Sequence, residues 1–357
     1  GTFLACGHYQ IGSIAVRILS FDSDVLAPDF WETMISRALA VRIAASLAEP
    51  PAGFAPECCI SDSKASVVGK TNCYRLVHGE GDSLPGLVID YYNGVCVIQA
   101  HSVGMFRARK QICLALQSIY GDALQAVYDK SSGTAPFKAG LDLVDGYMYR
   151  KDGFSDDEQI VLENEHKFIV NWTEGQKTGF FLDQRENRAK VGEYARGAGK
   201  VLNVFSYSGG FSLYAARNGA REVTDIDFSK PALDASEHNF SLNRHFPGVA
   251  DCRHRTLPDD AFHAMHELEL RGERFDVVIV DPPSFAKASG ERAVRYRGTD
   301  QAYAVNELFQ RLKQEITQQK MRNVKQAAAG AGGAGNPKQS LAKTGKSVGK
   351  GCIGCLI

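Results

Sequence analysis

The chain has 357 residues, of which 44% are hydrophobic, and its 41 basic and 41 acidic side chains give a formal net charge of +0. That is enough apolar matter for two domains of roughly 150 residues each. The balanced charge excludes nucleic-acid binding by net charge alone, so any phosphate-binding face must be local. No apolar run reaches the ~18 residues of a helical membrane span.

The chain opens on Gly1 with no signal-peptide pattern, and the missing initiator Met points to a fragment or a processed start. Nine cysteines, an odd number without framework spacing, fit reduced thiols better than disulfides. Cys352 and Cys355 have Cys-x-x-Cys spacing but no second pair and no partner histidine, so no metal site is assigned.

Residues 1–22 read as two strands, which by themselves cannot bury a core. A helix is predicted over 28–49: Pro28 suits its start, Trp31, Ile35, Ala38 and Leu39 share a face, and Pro50-Pro51 stops it. The weakly patterned stretch 50–70 reads as a loop or insertion. Strands follow over 73–101, where Val88 to Tyr91 and Val95 to Ala100 flank Asn93-Gly94, a strong hairpin signal. Arg75 and Asp82 read as solvated surface in preference to RNA contacts. A helix over about 103–119 and short strands at Val127–Asp129, Gly146–Tyr149 and Lys167–Val170 complete a small α/β domain.

Residues 179–188 read as a loop feeding a helix. The most informative stretch is 200–229. Val201 to Phe205 has the continuous apolar character of a buried parallel strand. The turn Ser206-Tyr207-Ser208-Gly209-Gly210 follows, then a helix from Phe211 to Arg217 that Gly219 can end, then a strand from Val223 to Ile226 closed by Asp227. This strand–turn–helix–strand–acid unit of about 30 residues has the length of a nucleotide-binding half. Gly209 and Gly210 free the backbone to approach a ligand, the helix start offers unpaired N–H groups, and Asp227 can accept both hydroxyls of a ribose. The turn is not Gly-x-Gly-x-x-Gly, and a Gly-Gly turn is as readily structural. Downstream, Asp259-Asp260 precedes an amphipathic stretch, and a buried strand from Phe275 ends in Asp281-Pro282-Pro283-Ser284-Phe285. After Leu312 the pattern breaks: Lys313 to Gln326 is a polar helix candidate, and Ala327 to Lys350 is a low-complexity Gly/Ala/Lys tract.

The sequence from Lys177 to Arg185 (Lys-Thr-Gly-Phe-Phe-Leu-Asp-Gln-Arg), the sequence from Asn203 to Phe211, and the sequence from Asp281 to Lys287 stand in one order. With them, the chain resembles the class I S-adenosylmethionine-dependent methyltransferases, and within these the 23S ribosomal RNA large-subunit methyltransferase I (cytosine-C5) family, over roughly residues 1–312. The resemblance implies an α/β fold: a Rossmann-like methyltransferase sheet with a smaller N-terminal α/β domain and a remnant of a PUA-like barrel. The implied domains are 1–24 (barrel remnant), 25–172 (substrate side), 173–312 (methyltransferase core) and 313–357 (atypical tail). It also implies S-adenosyl-L-methionine as cofactor, RNA, ribosomal in kind, as partner, and a cytoplasmic or organellar location; oligomeric state is left open. Two strands that the family carries beyond Leu312, with a Ser-Cys-Ser turn between them, have no counterpart here, which would leave a sheet edge open.

On this resemblance Gln184 and Arg185 supply donors to the cofactor pocket, and Asn203, Ser206 and Gly209 border the methionine portion. Asp227 holds the ribose. Asp260 meets the adenine amino group, although an ordinary helix cap is its other reading. Asp281 is the candidate catalytic carboxylate. Pro282 and Pro283 make a stiff loop against which an extruded base can lie, and Phe285 stacks on that base or packs in the core. Methylation at cytosine C5 needs a thiolate that adds first to C6, and none of the nine cysteines stands in the family's Ser-Cys-Ser context. Three readings remain: a ribosomal RNA cytosine-C5 enzyme lacking its nucleophile, an RNA base N-methyltransferase using the Asp-Pro-Pro loop, and a non-catalytic RNA- or cofactor-binding protein.

Overall fold

The computed structural model describes residues 3–10, 14–21, 27–54, 70–136 and 140–282. Pro283, Phe285, the helix expected near Leu312, the tail and the Cys352/Cys355 pair lie outside the described residues.

The first two strands, β1 (Cys6–Tyr9) and β2 (Val16–Ser20), pair antiparallel. Among the described residues no further strand joins them, so the barrel remnant is seen only as a two-stranded ribbon. Helix α1 (Phe30–Ala44) buries Ile35, Ala38 and Leu39, as their spacing requires. It ends sooner than Pro50. Ser46 takes φ 55°, Ser46 N–H donates to Ile43 O (2.9 Å) and Leu47 N–H to Arg42 O (2.8 Å). This Schellman closure satisfies the last carbonyls five residues before any proline is needed.

The smaller sheet contains β3 (Cys73–His78), β4 (Leu87–Tyr92), β5 (Val95–Ala100), β6 (Ala126–Asp129) and β7 (Gly146–Arg150), hydrogen-bonded in that order. Asn93 (φ 45°) and Gly94 (φ 95°) make the tight turn between β4 and β5. Helix α2 (Val103–Tyr120) carries the chain across to β6, which runs parallel to β5. Its N-cap Ser102 accepts from Met105 N–H. Helices α1 and α2 cover one face of this sheet in a core that includes Leu76, Ile89, Ile98, Ile112 and Leu116.

A hairpin unforeseen in its first strand follows: β8 (Ile160–Glu163) and β9 (His166–Ile169), turned through Asn164 and Glu165 at positive φ. Then come α3 (Arg185–Tyr194), β10 (Lys200–Val204), α4 (Gly210–Arg217), β11 (Glu222–Asp227), α5 (Lys230–Leu242), the short α6 (Pro247–Asp251), β12 (Arg253–Pro258), α7 (Ala261–Leu270) and β13 (Val277–Val280). Strands β10 to β13 form a wholly parallel sheet in the order β12-β11-β10-β13. Apolar side chains cover both its faces. Val201, Leu213, Val223 and Phe240 belong to one cluster, and Leu202, Val204, Ile226, Ala264 and Leu268 to the other. Parallel strands buried on both sides read as unbroken apolar runs, which is why β10 and β13 are visible in the sequence.

The first of those clusters also takes Tyr92, Val97 and Tyr128 from the far face of the small sheet, together with Phe168, Trp172 and Phe180. One core therefore runs from the small sheet through the hairpin into the parallel sheet. Polar groups reinforce the junction. Asn239 Oδ1 and Asn243 Oδ1, both on α5, accept from Ile169 N–H and Lys167 N–H at 2.9 Å. Arg188 makes two hydrogen bonds to Glu163 (2.7 and 2.6 Å) and both side chains are almost wholly buried.

Arg75 and Asp82 are not solvated surface. Asp82 forms a two-point ion pair with Arg42, and Arg75 holds the fully buried Asp90 through Nε (2.8 Å) and Nη2 (3.0 Å). Their partners lie 40 and 15 residues away, so the charges are neutralised by contacts that no local pattern announces.

Candidate active site

The parallel sheet brings the turn after β10 and the ends of β11, β12 and β13 to one edge. The turn is strained. Phe205 (φ 61°), Tyr207 (φ 49°) and Gly209 (φ 70°) alternate in the left-handed region, which costs a side-chain-bearing residue of order 1–3 kcal/mol. Neighbouring chain holds it there. Ser206 N–H donates to Ile226 O (3.0 Å), Gly209 N–H to Ser206 O (3.0 Å) and Tyr207 N–H to Asp227 Oδ2 (2.8 Å). The other oxygen of Asp227 accepts from Ser229 N–H at 2.9 Å. Each carboxylate oxygen thus spends one lone pair on the backbone and keeps one for another donor.

Gly209 serves the protein as much as any ligand. A Cβ there would stand 1.9 Å from Ser236 Oγ and 3.0 Å from Asp225 Oδ2, so its bare side faces α5 and β11. At Gly210 a Cβ would meet only the Arg188 side chain, at 3.0 Å. Beneath the turn lies a buried polar cluster. Asp225, fully buried, accepts from Ser212 Oγ, from Ser236 Oγ (2.6 Å) and from His254 Nε2 (2.9 Å). Ser212 in turn accepts from Asn203 Nδ2 at 2.8 Å. Besides Thr224 Oγ1 on β11, two buried oxygens among the described residues are left without a hydrogen-bond partner, Asn203 Oδ1 and Ser206 Oγ. Native proteins rarely orphan such atoms, and here both flank the strained turn.

Asp260 follows β12, where Pro258 is the partner of Asp227 in register, so the two acids sit beyond the ends of neighbouring strands. Asp260 caps α7: Oδ1 accepts from Phe262 N–H (3.0 Å) and His263 N–H (3.2 Å). The cap is therefore observed, and contact with a ligand would have to be made in addition. Asp259 hydrogen-bonds His263 (2.6 Å), which holds the imidazole above its ordinary pKa.

Asp281 follows Val280, which pairs with Val204, and so comes level with Phe205. Partial burial raises its pKa above the usual carboxylate range; the negative charge of Asp183 adds to this and Lys177 opposes it. Pro282 is half-buried. Lys177, itself at φ 51°, bonds both oxygens of Asp183 (2.9 and 3.0 Å) and lies 4.4 Å over the Phe181 ring, whose edge contacts Tyr207 at 5.4 Å between centroids. Gln184 accepts from Asn187 through Oε1 (2.7 Å), which leaves its amide N–H groups available, and Arg185 leans on Glu186 (3.4 Å).

The sequence reading missed three features. Phe228, directly after Asp227, is 85% exposed, an aromatic face beside the ribose candidate; its position next to a strand-ending acid was the available signal. Tyr207 links the segments, since its N–H meets Asp227 and its hydroxyl accepts from Gln176 N–H at 3.4 Å. Thr178 is tied to the small sheet, with nothing local to show it. Burial also decides the thiols. Cys73, Cys96 and Cys113 are raised above the ordinary thiol pKa by desolvation, and Cys252 is pushed up to about 12. Among the described residues no group of three or more His, Cys, Asp or Glu is placed to hold a metal ion. A cavity of about 550 Å³ lies elsewhere, between α2 and β7, and none of its lining residues belongs to the turn.

Comparison with known proteins bears on this arrangement. Residues 75–303 match the family described as S-adenosylmethionine-dependent methyltransferase. A ribosomal RNA large subunit methyltransferase of Deinococcus radiodurans is 37% identical over 299 residues, covering 83% of this chain and 68% of that protein. A ribosomal RNA large subunit methyltransferase I of Alteromonas mediterranea is 41% identical over 228 residues, covering 63% of this chain but only 55% of that protein. The chain thus spans little more than half to two thirds of these relatives. A solved structure of a provisionally assigned methyltransferase complexed with SAH superposes with a TM-score of 0.60 at 25% identity, over 76% of this chain and 62% of that one.

Proposed function

From a chain that belongs to the S-adenosylmethionine-dependent methyltransferase family, we propose an enzyme that binds S-adenosylmethionine on the strained turn after β10 and methylates a base in RNA, ribosomal RNA by analogy with its relatives. The observation that carries this is the bond from that turn to Asp227, with Asp260 two residues beyond the end of the neighbouring strand and the orphaned oxygens of Asn203 and Ser206 beside the turn. The donor and acceptor set fits the cofactor. Asp227 has a lone pair on each oxygen for the ribose hydroxyls. Phe228 offers its exposed ring to the adenine, with Asp260 near the exocyclic amine. Asn203 Oδ1, Ser206 Oγ and the turn at Gly209-Gly210 border the methionine portion, where Gln184 can donate. The cofactor supplies a methyl group on a sulfonium, open to in-line displacement, so the protein has chiefly to position donor and acceptor.

Asp281 is the residue assigned to the acceptor base, with Pro282, Pro283 and Phe285 forming the loop it lies against. A carboxyl whose pKa is raised holds or takes a proton more readily than an ordinary one. Two target atoms remain. Cytosine C5 requires a thiolate; among the described cysteines Cys73, Cys96, Cys113 and Cys252 are buried with thiol pKa raised by desolvation, and Cys6, on β1, is half-buried. A base nitrogen, the second reading, needs no thiolate: its lone pair attacks the methyl group while Asp281 takes the proton. A ribosomal substrate places the enzyme in the cytoplasm or an organelle. Incubation of RNA with isotopically labelled cofactor, followed by mass spectrometry of the nucleosides, decides the matter. A label on cytosine C5 supports the family's reaction, a label on a base nitrogen supports the second reading, and no label together with no S-adenosylhomocysteine binding overturns the assignment.

A further inference from the structure

The segment 175–184 faces the turn after β10 and carries Lys177, Phe181, Asp183 and Gln184. It is anchored from outside the parallel sheet. Thr178 is fully buried, and its Oγ1 donates to Asp90 Oδ2 on β4 at 2.5 Å. Tyr92, also on β4, lies 2.8 Å from the same oxygen. A threonine hydroxyl has a single hydrogen and the carboxylate can only accept, so Thr178 gives its proton to Asp90 and takes the hydrogen of Tyr92. Asp90 is saturated further by Arg75, and Arg75 is 32% exposed. The four side chains form a directed chain from the small sheet to the segment. Nearby contacts leave the segment little slack: Lys130 Nζ donates to Gly175 O at 2.6 Å, and a Cβ on Gly175 would stand 2.2 Å from Asn171 O.

We infer that Thr178 is a positioning residue for the cofactor turn, the link through which Asp90 of the small sheet holds the segment of Gln176 and Phe181 against Tyr207, whose N–H meets Asp227. The inference rests on the reading of that turn as the cofactor site. Removing the hydroxyl orphans a buried tyrosine O–H and takes one of two donors from Asp90 Oδ2, which keeps Arg75 Nη2, while every contact made by Asp227 itself is retained. Carried to the cofactor turn, the loss of a hydrogen bond to a charged group lowers affinity by roughly tenfold or more.

The test is calorimetric titration of the full chain with S-adenosylhomocysteine, with a thermal melt of each protein. The expected result is binding to the unmodified chain, at least roughly tenfold weaker binding to Thr178→Val, and recovery to within about threefold in Thr178→Ser. Should the valine variant not fold, Thr178→Ala, which forces no methyl against Asp90, takes its place. Trypsin gives a second readout: cleavage after Lys177 should quicken in the alanine variant and slow in the unmodified chain when S-adenosylhomocysteine is added. Affinity in the valine or alanine variant equal to that of the unmodified chain overturns the inference. So does a parallel fall of affinity and melting temperature that serine fails to rescue, since that marks a structural role. No binding by the unmodified chain overturns the cofactor reading itself, and this inference with it.

Discussion

Asp227 accepts two backbone N–H groups and, on the proposed reading, keeps a lone pair on each oxygen for a ligand. Asp227→Ala removes both kinds, and S-adenosylhomocysteine affinity should fall by roughly 30- to 100-fold, or about 2–3 kcal/mol, in a calorimetric titration. Gly209 illustrates a different constraint. Gly209→Ala meets both a positive φ and Ser236 Oγ at 1.9 Å, so unfolding in urea should show a loss of about 2–4 kcal/mol. Adding Ser236→Gly should restore part of it, which a purely conformational penalty would not allow. Asp281 makes a prediction in pH. Its folded-state pKa lies above the unfolded value of 3.8, so the unfolded chain releases this proton first as pH rises. The residue's contribution therefore becomes unfavourable between the unfolded and folded pKa and stays so at neutral pH. Asp281→Asn should be at least as stable as the unmodified chain at pH 7, and that advantage should vanish below pH ~3.8; methyl transfer should be lost in the same variant.

At the scale of elements, α5 does more than cover the sheet. Its Asn239 and Asn243 side chains stand in for a neighbouring strand along β9, each accepting one of its N–H groups. Asn243 also donates back to Lys167 O at 2.7 Å. An alanine at either position strands a buried amide and should cost about 1–3 kcal/mol. Hydrogen exchange should quicken at Lys167 N–H in Asn243→Ala and at Ile169 N–H in Asn239→Ala, and little elsewhere. The turn–helix–strand unit from β10 to β11 was legible because its signals are local: an apolar run, a flexible turn, a helix, a second run and a terminal acid. The β8–β9 hairpin was half legible. Ile160-Val161-Leu162 and Phe168-Ile169-Val170 bracket a polar run from Glu163 to Lys167, and what makes Glu163 tolerable inside is Arg188, 25 residues on.

Across the whole molecule, the continuity of the core joins the small sheet to the parallel sheet. Trp31 packs on the cluster beneath α1 and α2, and Trp172 lies in the cluster shared with the parallel sheet. Urea unfolding followed by tryptophan fluorescence in Trp31→Phe and in Trp172→Phe should therefore report matching midpoints relative to circular dichroism of the same variant. Two separated midpoints would show that the halves unfold apart. The buried Glu163–Arg188 pair is the sharpest probe of the junction. Glu163→Gln should cost about 3–5 kcal/mol by leaving a guanidinium uncompensated, whereas Glu163→Leu with Arg188→Met should cost far less than the sum of the single changes.

The order of apolar runs, turns and strand-ending acids determined by itself that this is an α/β chain with a strand–turn–helix–strand unit, since those signals depend on residues within a turn or two of each other. Only the folded arrangement decided which polar side chains go inside. Asp82 finds Arg42 across 40 residues and Asp90 finds Thr178 across 88, and whether a charge is buried depends on which distant surfaces meet, a quantity that no stretch of sequence contains.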